Sequence, residues 1–428
     1  DGDGQVTLDL GTYDDYARAV AVQPDQKIIV AGVSLDALSV FQGAVIRLNA
    51  DGTLDTSFGT GGLITLPIGG ASAEVNDITV QADGKILVVG RGLHPGNDVA
   101  VLRFHPDGTL DTDWGGTGMV FTDAGGNDNA FAIEVGLDGS VFVSGGGGAI
   151  ATIDVILIRY DEHGVPDPAF GEEGVVLTDL GGTPDVGYAL VLRPDGRIIV
   201  GGMTNTPTGL DVLVLQYLPD GTLDGSFGTG GVVITPATSG PDVATSIGLQ
   251  TDGRIVVGGL ADSGGASDLL IVRYLPDGTL DNTFDLDGMV TTNIGPGYDE
   301  LTGSVIQSDG KILGCGRTDT NGSIDFLLVR YNASVTTGLA EAGIAPLGMS
   351  LLPNPASESA LLQIEPHSSA PATIVICDAQ GRVVRTMTTD RGSGTRRIVL
   401  DLATLSAGTY GVRVAVDDEV ASALLLKQ

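Results

Sequence analysis

Aspartates recur at two fixed points of a repeating pattern that fills the chain before residue 332. The first set precedes the first predicted strand of each repeat and comprises Asp15, Asp77, Asp128, Asp185, Asp242 and Asp299. The second set precedes the third strand and comprises Asp98, Asp154, Asp211, Asp268 and Asp325. Several carboxylates on one face can bind Ca²⁺ or a basic partner, because hard cations take oxygen ligands. Alternatively, and this is the interpretation we favour, each Asp caps its own loop by accepting backbone N–H bonds.

Other kinds of chemistry find no matching residue pattern. No Gly-x-Ser-x-Gly elbow occurs, and no carboxylate pair is singled out for glycoside hydrolysis. Gly145–Gly148 is predicted to lie in a loop between strands, where it cannot form a phosphate cradle at a helix start. No set of sugar-stacking aromatics is evident. The histidines lack metal-ligand spacing: His94, His105, His163 and His367. We therefore predict no catalytic residue, and no cofactor other than the candidate Ca²⁺.

Composition and charge limit the class of protein. The 428 residues include 66 Gly and only 5% aromatics, which suits many short strands joined by tight turns. The net charge of −33 would repel phosphate backbones and anionic lipid, so nucleic acid is excluded as a partner. A solvated acidic coat is the alternative to cation binding. No apolar run is long enough for a membrane-spanning segment.

The two cysteines are predicted to be structural. Cys315 and Cys377 each lie in an apolar, strand-like run in a different part of the chain. We expect both thiols to be buried in a core, since nothing in their spacing indicates a disulfide or a metal site.

One unit repeats six times before residue 332. Its clearest mark is an Asp-Gly turn between two apolar runs, a strong hairpin signal. The residue that ends this turn recurs every 55 to 58 positions: Lys27, Lys85, Ser140, Arg197, Arg254 and Lys311. Four short antiparallel strands per unit, repeated six times, predict an all-β, six-bladed β-propeller with four-stranded blades.

The chain start is predicted to close the ring. Residues 5–10 align with residues 289–294 and would form the missing fourth strand of the last blade. Such closure removes an open sheet edge. It also leads us to expect that the natural precursor extends upstream and carries a signal peptide.

An arginine at the end of the third strand and an aspartate eight residues later recur together. The pairs include Arg103 with Asp111, Arg159 with Asp167, and Arg273 with Asp281. We predict a fork-shaped ion pair that clamps the intervening turn, a structural role rather than a catalytic one. An aromatic follows each aspartate, and Trp114 takes that place in the second repeat as a blade wedge.

These units resemble the delta-60 repeats of bacterial surface proteins, a propeller family. The resemblance covers residues 1–332 and rests on the Asp-Gly-Lys-Ile turn, the Arg-Tyr strand end and the Asp-Gly-Thr-Leu-Asp-x-x-Phe-Gly run. It implies the fold but names no ligand, because one fold hosts many functions.

The remaining chain divides into a linker, residues 333–348, and a domain, residues 349–428, predicted as a small Ig-like β-sandwich. The domain resembles the type A C-terminal sorting domain of the type IX secretion system. The matching residues are Pro353, Asn354, Pro355, Gly381, Gly408, Tyr410 and Lys427. The resemblance implies export to the outer cell surface by the type IX machinery, removal of the domain by a sortase-like protease, and attachment or release of the propeller.

Three functions are compatible with these observations. Loops before the third strands differ in every repeat, whereas the turns are nearly uniform, and variable loops on a uniform scaffold usually bind ligands. We therefore predict a secreted surface module for binding or adhesion, not an enzyme, with a glycan or protein as its extracellular ligand. An extracellular enzyme acting on polysaccharide or peptide at the same face is the alternative. A structural envelope component without a ligand is the third.

Overall fold

A computed structural model gives the fold. It describes residues 4–11, 13–35, 40–66, 73–93, 96–148, 152–181, 184–262, 264–285, 287–319, 322–332, 348–353, 356–366, 368–377, 383–392, 394–416 and 419–427. All regular structure in these residues is β-strand. They contain no helix long and apolar enough to cross a membrane. The chain divides into two compact units, one of Asp1–Pro236 with Asp242–Ile247 and one of Ala237–Pro241 with Gly248–Gln428.

The repeats form four-stranded antiparallel sheets in which sequential strands pair. The first two sheets contain β1 (Asp15–Val22), β2 (Ile28–Leu35), β3 (Phe41–Leu48), β4 (Leu63–Leu66), β5 (Glu74–Val80), β6 (Ile86–Leu93), β7 (Asn97–Phe104) and β8 (Met119–Thr122). The third and fourth contain β9 (Asn129–Val135), β10 (Val141–Gly147), β11 (Asp154–Tyr160), β12 (Val175–Thr178), β13 (Asp185–Leu192), β14 (Ile198–Thr206), β15 (Gly209–Tyr217) and β16 (Val232–Thr235). The fifth contains β17 (Asp242–Leu249), β18 (Ile255–Asp262), β19 (Ser267–Tyr274) and β20 (Met289–Thr292). Asp-Gly turns make the hairpins. Gly84, for example, has a φ of +85°, which is the positive value that such turns require.

In the first unit, the first strands of successive sheets pack on one another: β1 on β5, β5 on β9, and β9 on β13. These first strands form the inner side of the unit, and the fourth strands form the outer edges of their sheets. Between neighbouring sheets lie apolar cores that each include the aromatic after the clamp aspartate, such as Phe58 or Trp114, which are fully buried. This packing between faces of successive sheets is that of a propeller.

The second unit contains a three-stranded sheet and the C-terminal domain. The sheet consists of β21 (Asp299–Ile306), β22 (Ile312–Asp319) and β23 (Ile324–Tyr331). The C-terminal strands are β24 (Gly348–Leu352), β25 (Ser359–Glu365), β26 (Thr373–Cys377), β27 (Val383–Thr388), β28 (Arg396–Asp401), β29 (Gly408–Val416) and β30 (Glu419–Lys427). They form the sheets β24-β25-β28 and β27-β26-β29-β30, which share one apolar core, as in a sandwich. An Ig-like connectivity stays a prediction.

Three expectations from the sequence need correction or stay open. Gly145–Gly147 lies within strand β10 and not in a loop, because it pairs with β11 in register. The Cys315 thiol is exposed, since this strand of the last sheet has one uncovered face; the Cys377 side chain lies outside the described part of the chain. Residues 5–10 belong to no strand, so ring closure by this segment remains a prediction.

Candidate functional site

Aspartates of the first set cap the chain segment that enters the inner strand. Asp128 accepts hydrogen bonds from the amides of Ala124 at 2.6 Å and Gly148 at 3.0 Å. Equivalent bonds run from Leu10 to Asp15 at 2.8 Å, from Leu180 to Asp185 at 3.1 Å, and from Ile294 to Asp299 at 2.8 Å. Asp242 is also buried at its strand start. This geometry is the one expected for loop caps.

The same end of the sheets also brings carboxylates together. Among the described residues, two groups have carboxylate oxygens within 4.8 Å of one another: Asp98 with Asp123 and Asp128, and Asp154 with Asp179 and Asp185. Burial raises the pKa of Asp128, and Asp123 adds to it. Burial also raises the pKa of Asp154, with further contributions from Asp179 and Asp185. Each carboxylate triad therefore offers hard oxygen ligands that could hold a Ca²⁺ ion.

The matching site of the fifth sheet has an asparagine in place of the third carboxylate. At the position of Asp123 and Asp179 this later repeat has Asn293, whose amide nitrogen donates to Asp268 at 2.8 Å. An amide donor thus does for Asp268 what a cation would do in the carboxylate triads. Asp211 and Asp325, the other members of the second set, lie at the starts of β15 and β23.

Asp77 is not equivalent to the other members of its set. It lies in the middle of β5, and the position that matches Asp128 in this repeat is Ala73. Its carboxylate accepts the amides of Ile78 at 2.8 Å and of Ile133, on the next inner strand, at 2.9 Å. Burial raises the pKa of Asp77 to about 7, and the neighbouring Glu134, whose own pKa is raised by burial, adds to the effect.

The inner strands carry a feature that the sequence did not reveal. The pairing of the first and second strands skips one residue in β1, β5, β9, β13 and β21, which marks a β-bulge. The skipped residues, here called the bulge residues, are Arg18, Asn76, Phe131, Tyr188 and Thr302. A bulge re-aims a side chain out of the regular ladder, and bulges are frequent next to functional sites. The available signal was one position whose residue varies between repeats, from Arg and Asn to Phe, Tyr and Thr.

A glycine on the second strand makes each bulge possible. A Cβ atom on Gly145 would lie 2.0 Å from the carbonyl oxygen of Asn129, and one on Gly90 would lie 1.8 Å from that of Glu74. Gly32, Gly202 and Gly316 have the same close approach. The repeated glycine of the second strand is thus explained by the bulge opposite it, where the backbone leaves no room for a side chain.

Bulge residues of neighbouring sheets interact along the inner side of the first unit. Arg18 contacts Glu74 at 3.2 Å and donates to the Asn76 side chain, and Arg91 pairs with the same glutamate. Asn76 donates to the Asn129 side chain at 2.9 Å and to the carbonyl of Ala130 at 2.7 Å. The rings of Phe131 and Tyr188 then meet edge to face, with centroids 4.9 Å apart and planes at 61°. Both rings are half-buried.

The opposite end of the sheets carries the arginine–aspartate pairs. Arg103 Nε lies 2.6 Å from Asp111 Oδ2, and Arg273 Nε lies 2.8 Å from Asp281 Oδ2. The contact is not the expected fork, because Nη1 of Arg103 donates instead to the Glu162 carbonyl in the next sheet at 2.6 Å. The guanidinium also lies over the Trp114 ring, 4.8 Å from its centroid.

The hairpin cation joins each pair, a contact that the sequence did not predict. Lys85 Nζ lies 3.1 Å from Asp111 Oδ2, and Arg254 Nε lies 2.7 Å from Asp281 Oδ2. Burial alone would raise the pKa of Asp111, but the hydrogen bonds from Lys85 and the Asp113 amide and the charge of Arg103 hold it below its ordinary value. The signal was the recurrence of Lys or Arg at the end of the Asp-Gly turn.

The third sheet departs from this arrangement. Ser140 replaces the hairpin cation, and Arg159 turns to Asp138 at 2.9 Å, leaving Asp167 at 3.3 Å. The Arg159 guanidinium lies over Phe142 instead of the wedge aromatic. Removing one cation thus moves the arginine to a more exposed position.

Part of the sorting motif can be located. Gly408 and Lys427 pair across β29 and β30, and the buried Tyr410 donates to the Ser406 carbonyl at 2.8 Å. Pro353 follows β24. Asn354, Pro355 and Gly381 lie outside the described residues.

Two families match the sequence. Residues 23–58, 81–113, 193–227, 250–284 and 307–334 match the family described as "Domain of unknown function (DUF5122) beta-propeller". Residues 350–428 match the family described as "Secretion system C-terminal sorting domain". No curated protein matches the chain.

Solved structures show distant likeness. Sqt1 from Chaetomium thermophilum is 11% identical, with 96% of each chain covered and a TM-score of 0.41. A polysaccharide lyase, ulvan lyase, is 10% identical, with 88% of this chain and 92% of its own covered and a TM-score of 0.38. A β-fructofuranosidase from Bombyx mori is 10% identical, with 96% and 86% covered and a TM-score of 0.33.

Likeness at this level does not decide between binding and catalysis, and the prediction that the chain is not an enzyme gains no support from it. The two family matches agree with the resemblances that the sequence motifs suggested. The chain carries repeats of the DUF5122 beta-propeller family and ends in a type IX C-terminal sorting domain, and it is accordingly a secreted protein of the cell surface or extracellular space.

Proposed function

We propose that the mature protein is a binding or adhesion module that contacts an extracellular glycan or protein through the loop-bearing end of its sheets. This end carries the starts of the first and third strands, which run in the same direction because each pairs antiparallel with the second strand between them. The observation that carries the proposal is that the two ends of the sheets differ in how far their residues vary between repeats. The turn end repeats one set of contacts in most sheets, whereas the loops and the bulge residues of the loop-bearing end vary between repeats.

A ligand screen on the full chain tests this proposal. Glycan and protein arrays, run beside a panel of hydrolase and lyase substrates, are expected to show binding without turnover. Replacing residues 205–210, the tip of the β14–β15 hairpin, by Gly-Asn-Gly should weaken binding of a partner held at this end, with an unchanged melting temperature as the control. Turnover of a polysaccharide or peptide would replace the proposal by the enzymatic alternative, and the absence of any ligand would leave the structural component.

Calcium at the carboxylate triads is part of the same proposal. The grouping of three carboxylates supports it, as does the contrast with the Asn293 site, where an amide donor stands in place of the third carboxylate. Calorimetric titration with Ca²⁺ is expected to show heat that disappears in Asp123→Asn/Asp179→Asn. The same heat in wild type and variant would refute the calcium sites. No heat at all would mean that these aspartates serve only as loop caps.

The enzymatic alternative has one specific observation in its favour. Asp77 and Glu134, on neighbouring inner strands, both have raised pKa values, and perturbed carboxyl groups are typical of general acid–base sites. If this alternative holds, Asp77→Asn abolishes turnover while binding of the same substrate persists.

We also propose the finer fold, a six-bladed ring closed by residues 5–10. The Leu10 amide caps on Asp15 as the segment after β20 caps on Asp299, which supports its place as a fourth strand. Phe326 and Leu328 on β23 are 104% and 68% exposed, whereas the matching Leu269 and Ile271 of β19 are fully buried. Deleting residues 1–10 should lower the melting temperature, and an unchanged value would reject this closure.

Export and maturation complete the proposal. The sorting domain, residues 349–428, would be removed by a sortase-like protease within the linker, residues 333–348, and the propeller would be attached to the surface or released. Mass spectrometry of the secreted protein is expected to show a C-terminus within the linker. An intact C-terminus would contradict removal.

A further inference from the structure

We propose that the bulge residues of the first unit form a binding surface for a neutral glycan, with Phe131 and Tyr188 as the stacking platform and Arg18 and Asn76 as hydroxyl-binding groups. This inference rests on the proposed binding function and gives it a ligand class and a location. It does not depend on the carboxylate triads.

Position is the first argument. In β1 and β13 the bulge residue comes three residues after the first residue of the strand, which places it near the loop-bearing end. The backbone there is the same in the five sheets where the bulge is seen, held by the opposed glycine, while the side chain changes from guanidinium to amide to aromatic. A scaffold that fixes the backbone and varies the side chain is suited to recognition rather than to packing.

The aromatic pair is the second argument. An edge-to-face arrangement with centroids 4.9 Å apart fixes both rings, and both are partly exposed to solvent. The aliphatic C–H face of a pyranose carries slight positive charge and is attracted to the negative face of an aromatic ring. Rings fixed before binding lose little conformational entropy when a sugar docks.

The polar groups beside this pair are suited to hydroxyls. Asn76 links the two halves of the surface, since it contacts Arg18 on one side and the Ala130 carbonyl, next to Phe131, on the other. The planar Arg18 guanidinium supplies donors only, and the Asn76 side-chain oxygen, which accepts from Arg18, has a second lone pair that can accept from a hydroxyl. Together they can meet the donor and acceptor capacity of neighbouring sugar hydroxyls.

Charge balance separates a neutral glycan from charged ligands. Glu74 is shared by two guanidiniums, those of Arg18 and Arg91, so the surface offers a basic peptide no uncompensated carboxylate in this group. An anionic polysaccharide would meet the net charge of −33 that the whole chain carries. A ligand without charge avoids both costs.

Affinity electrophoresis of the full chain in native gels tests the inference. The gels contain laminarin, xylan or mannan as neutral polysaccharides, alginate as the anionic arm, and polylysine as the basic arm. We expect retardation by at least one neutral polysaccharide. The apparent affinity should fall at least tenfold in Phe131→Ala/Tyr188→Ala and stay near the wild-type value in Tyr188→Phe, which keeps the ring.

Controls keep the outcome interpretable. Leu137→Ala removes an exposed apolar side chain at the Asp-Gly turn end, outside the proposed binding face, and should bind as wild type. If the double alanine variant melts early, Phe131→Leu/Tyr188→Leu keeps apolar volume but removes the rings. Equal retardation of wild type and both ring-deficient variants overturns the inference, as does retardation by alginate or polylysine alone or by no polymer. If an array ligand is then lost only in the variant with residues 205–210 replaced, the binding function stands and the glycan surface does not.

Discussion

The two ends of the same sheets are built in opposite ways. At the turn end, Arg103, Lys85 and Asp111 form a buried ionic group whose counterparts recur in other repeats with little change. At the bulge, near the other end, the repeats keep one backbone geometry but present Arg18, Phe131 or another residue. The first arrangement holds neighbouring sheets together, because the arginine also reaches the next sheet. The second leaves its side chains with no shared structural task.

This difference shows where to look for function in a repeat protein. A residue that recurs in every repeat contributes to the fold, since a single ligand rarely needs six copies of one contact. A fixed backbone position with a changing residue is the more informative signal.

The largest effect is expected at the clamp. Asp111→Ala leaves Arg103 buried without its carboxylate, and breaking a buried pair costs about 3–5 kcal/mol of unfolding free energy. Asp167→Ala, in the third sheet, should cost about 1 kcal/mol or less, because Arg159 and Asp167 are each 23% exposed. Chemical denaturation measures both values. Equal costs would contradict the claim that Ser140 weakens this clamp.

At the bulge we expect the first strand to tolerate a change of side chain and the second strand, with its closely packed glycine, not to tolerate one. Gly145→Ala places a methyl group against the Asn129 carbonyl and should cost about 1–3 kcal/mol, while Phe131→Ala should cost less. Thermal unfolding of the two variants measures the order. A harmless Gly145→Ala would show that the bulge does not depend on close backbone approach.

Asp77 is expected to give the inner side a pH dependence of stability whose sign is opposite to that of the clamp carboxylate Asp111, because burial raises the pKa of Asp77 whereas that of Asp111 is lowered. Its folded pKa of about 7 lies above the ordinary value of 3.8, so the folded state holds the proton more tightly. Stability from this group is present below pH 4 and is lost as the pH rises through 7. Asp77→Asn should therefore show a flatter profile of melting temperature over this window. Parallel profiles for the two proteins would contradict this assignment.

The smallest effect is expected where the clamp lacks its arginine. Gln216 stands at the position that is equivalent to Arg103 of the second repeat, and its side-chain amide donates to Asp224 at 2.8 Å. Gln216→Arg should stabilise the sheet by about 0.5–1 kcal/mol through a cation–π contact with Phe227. A decrease in stability would show that the glutamine suits this repeat better than the common residue.

Much of the fold was predictable from the sequence, because Asp-Gly turns and strand spacing are local signals. The arginine–aspartate spacing predicted which residues pair, but not that Lys85 shares the carboxylate or that Arg103 reaches the next sheet, since both contacts depend on tertiary packing. The bulge residues were missed because a skipped residue leaves no mark in an alternating pattern. Asp77 was assigned to the wrong set for a related reason: its repeat has Ala73 at the matching position, and a nearby aspartate took its place in the alignment.

The joints between sheets in the first unit all point the same way along the chain. Gly59 donates to the Asp107 carbonyl at 2.9 Å, Gly115 to that of His163 at 2.7 Å, and Gly171 to that of Asp220 at 3.0 Å. Each repeat thus donates a backbone hydrogen bond to the repeat that follows it and accepts one from the repeat that precedes it. Insertion or deletion of one whole repeat within this unit would therefore leave each of these hydrogen bonds matched, so a change in repeat number does not require new residues at these contacts.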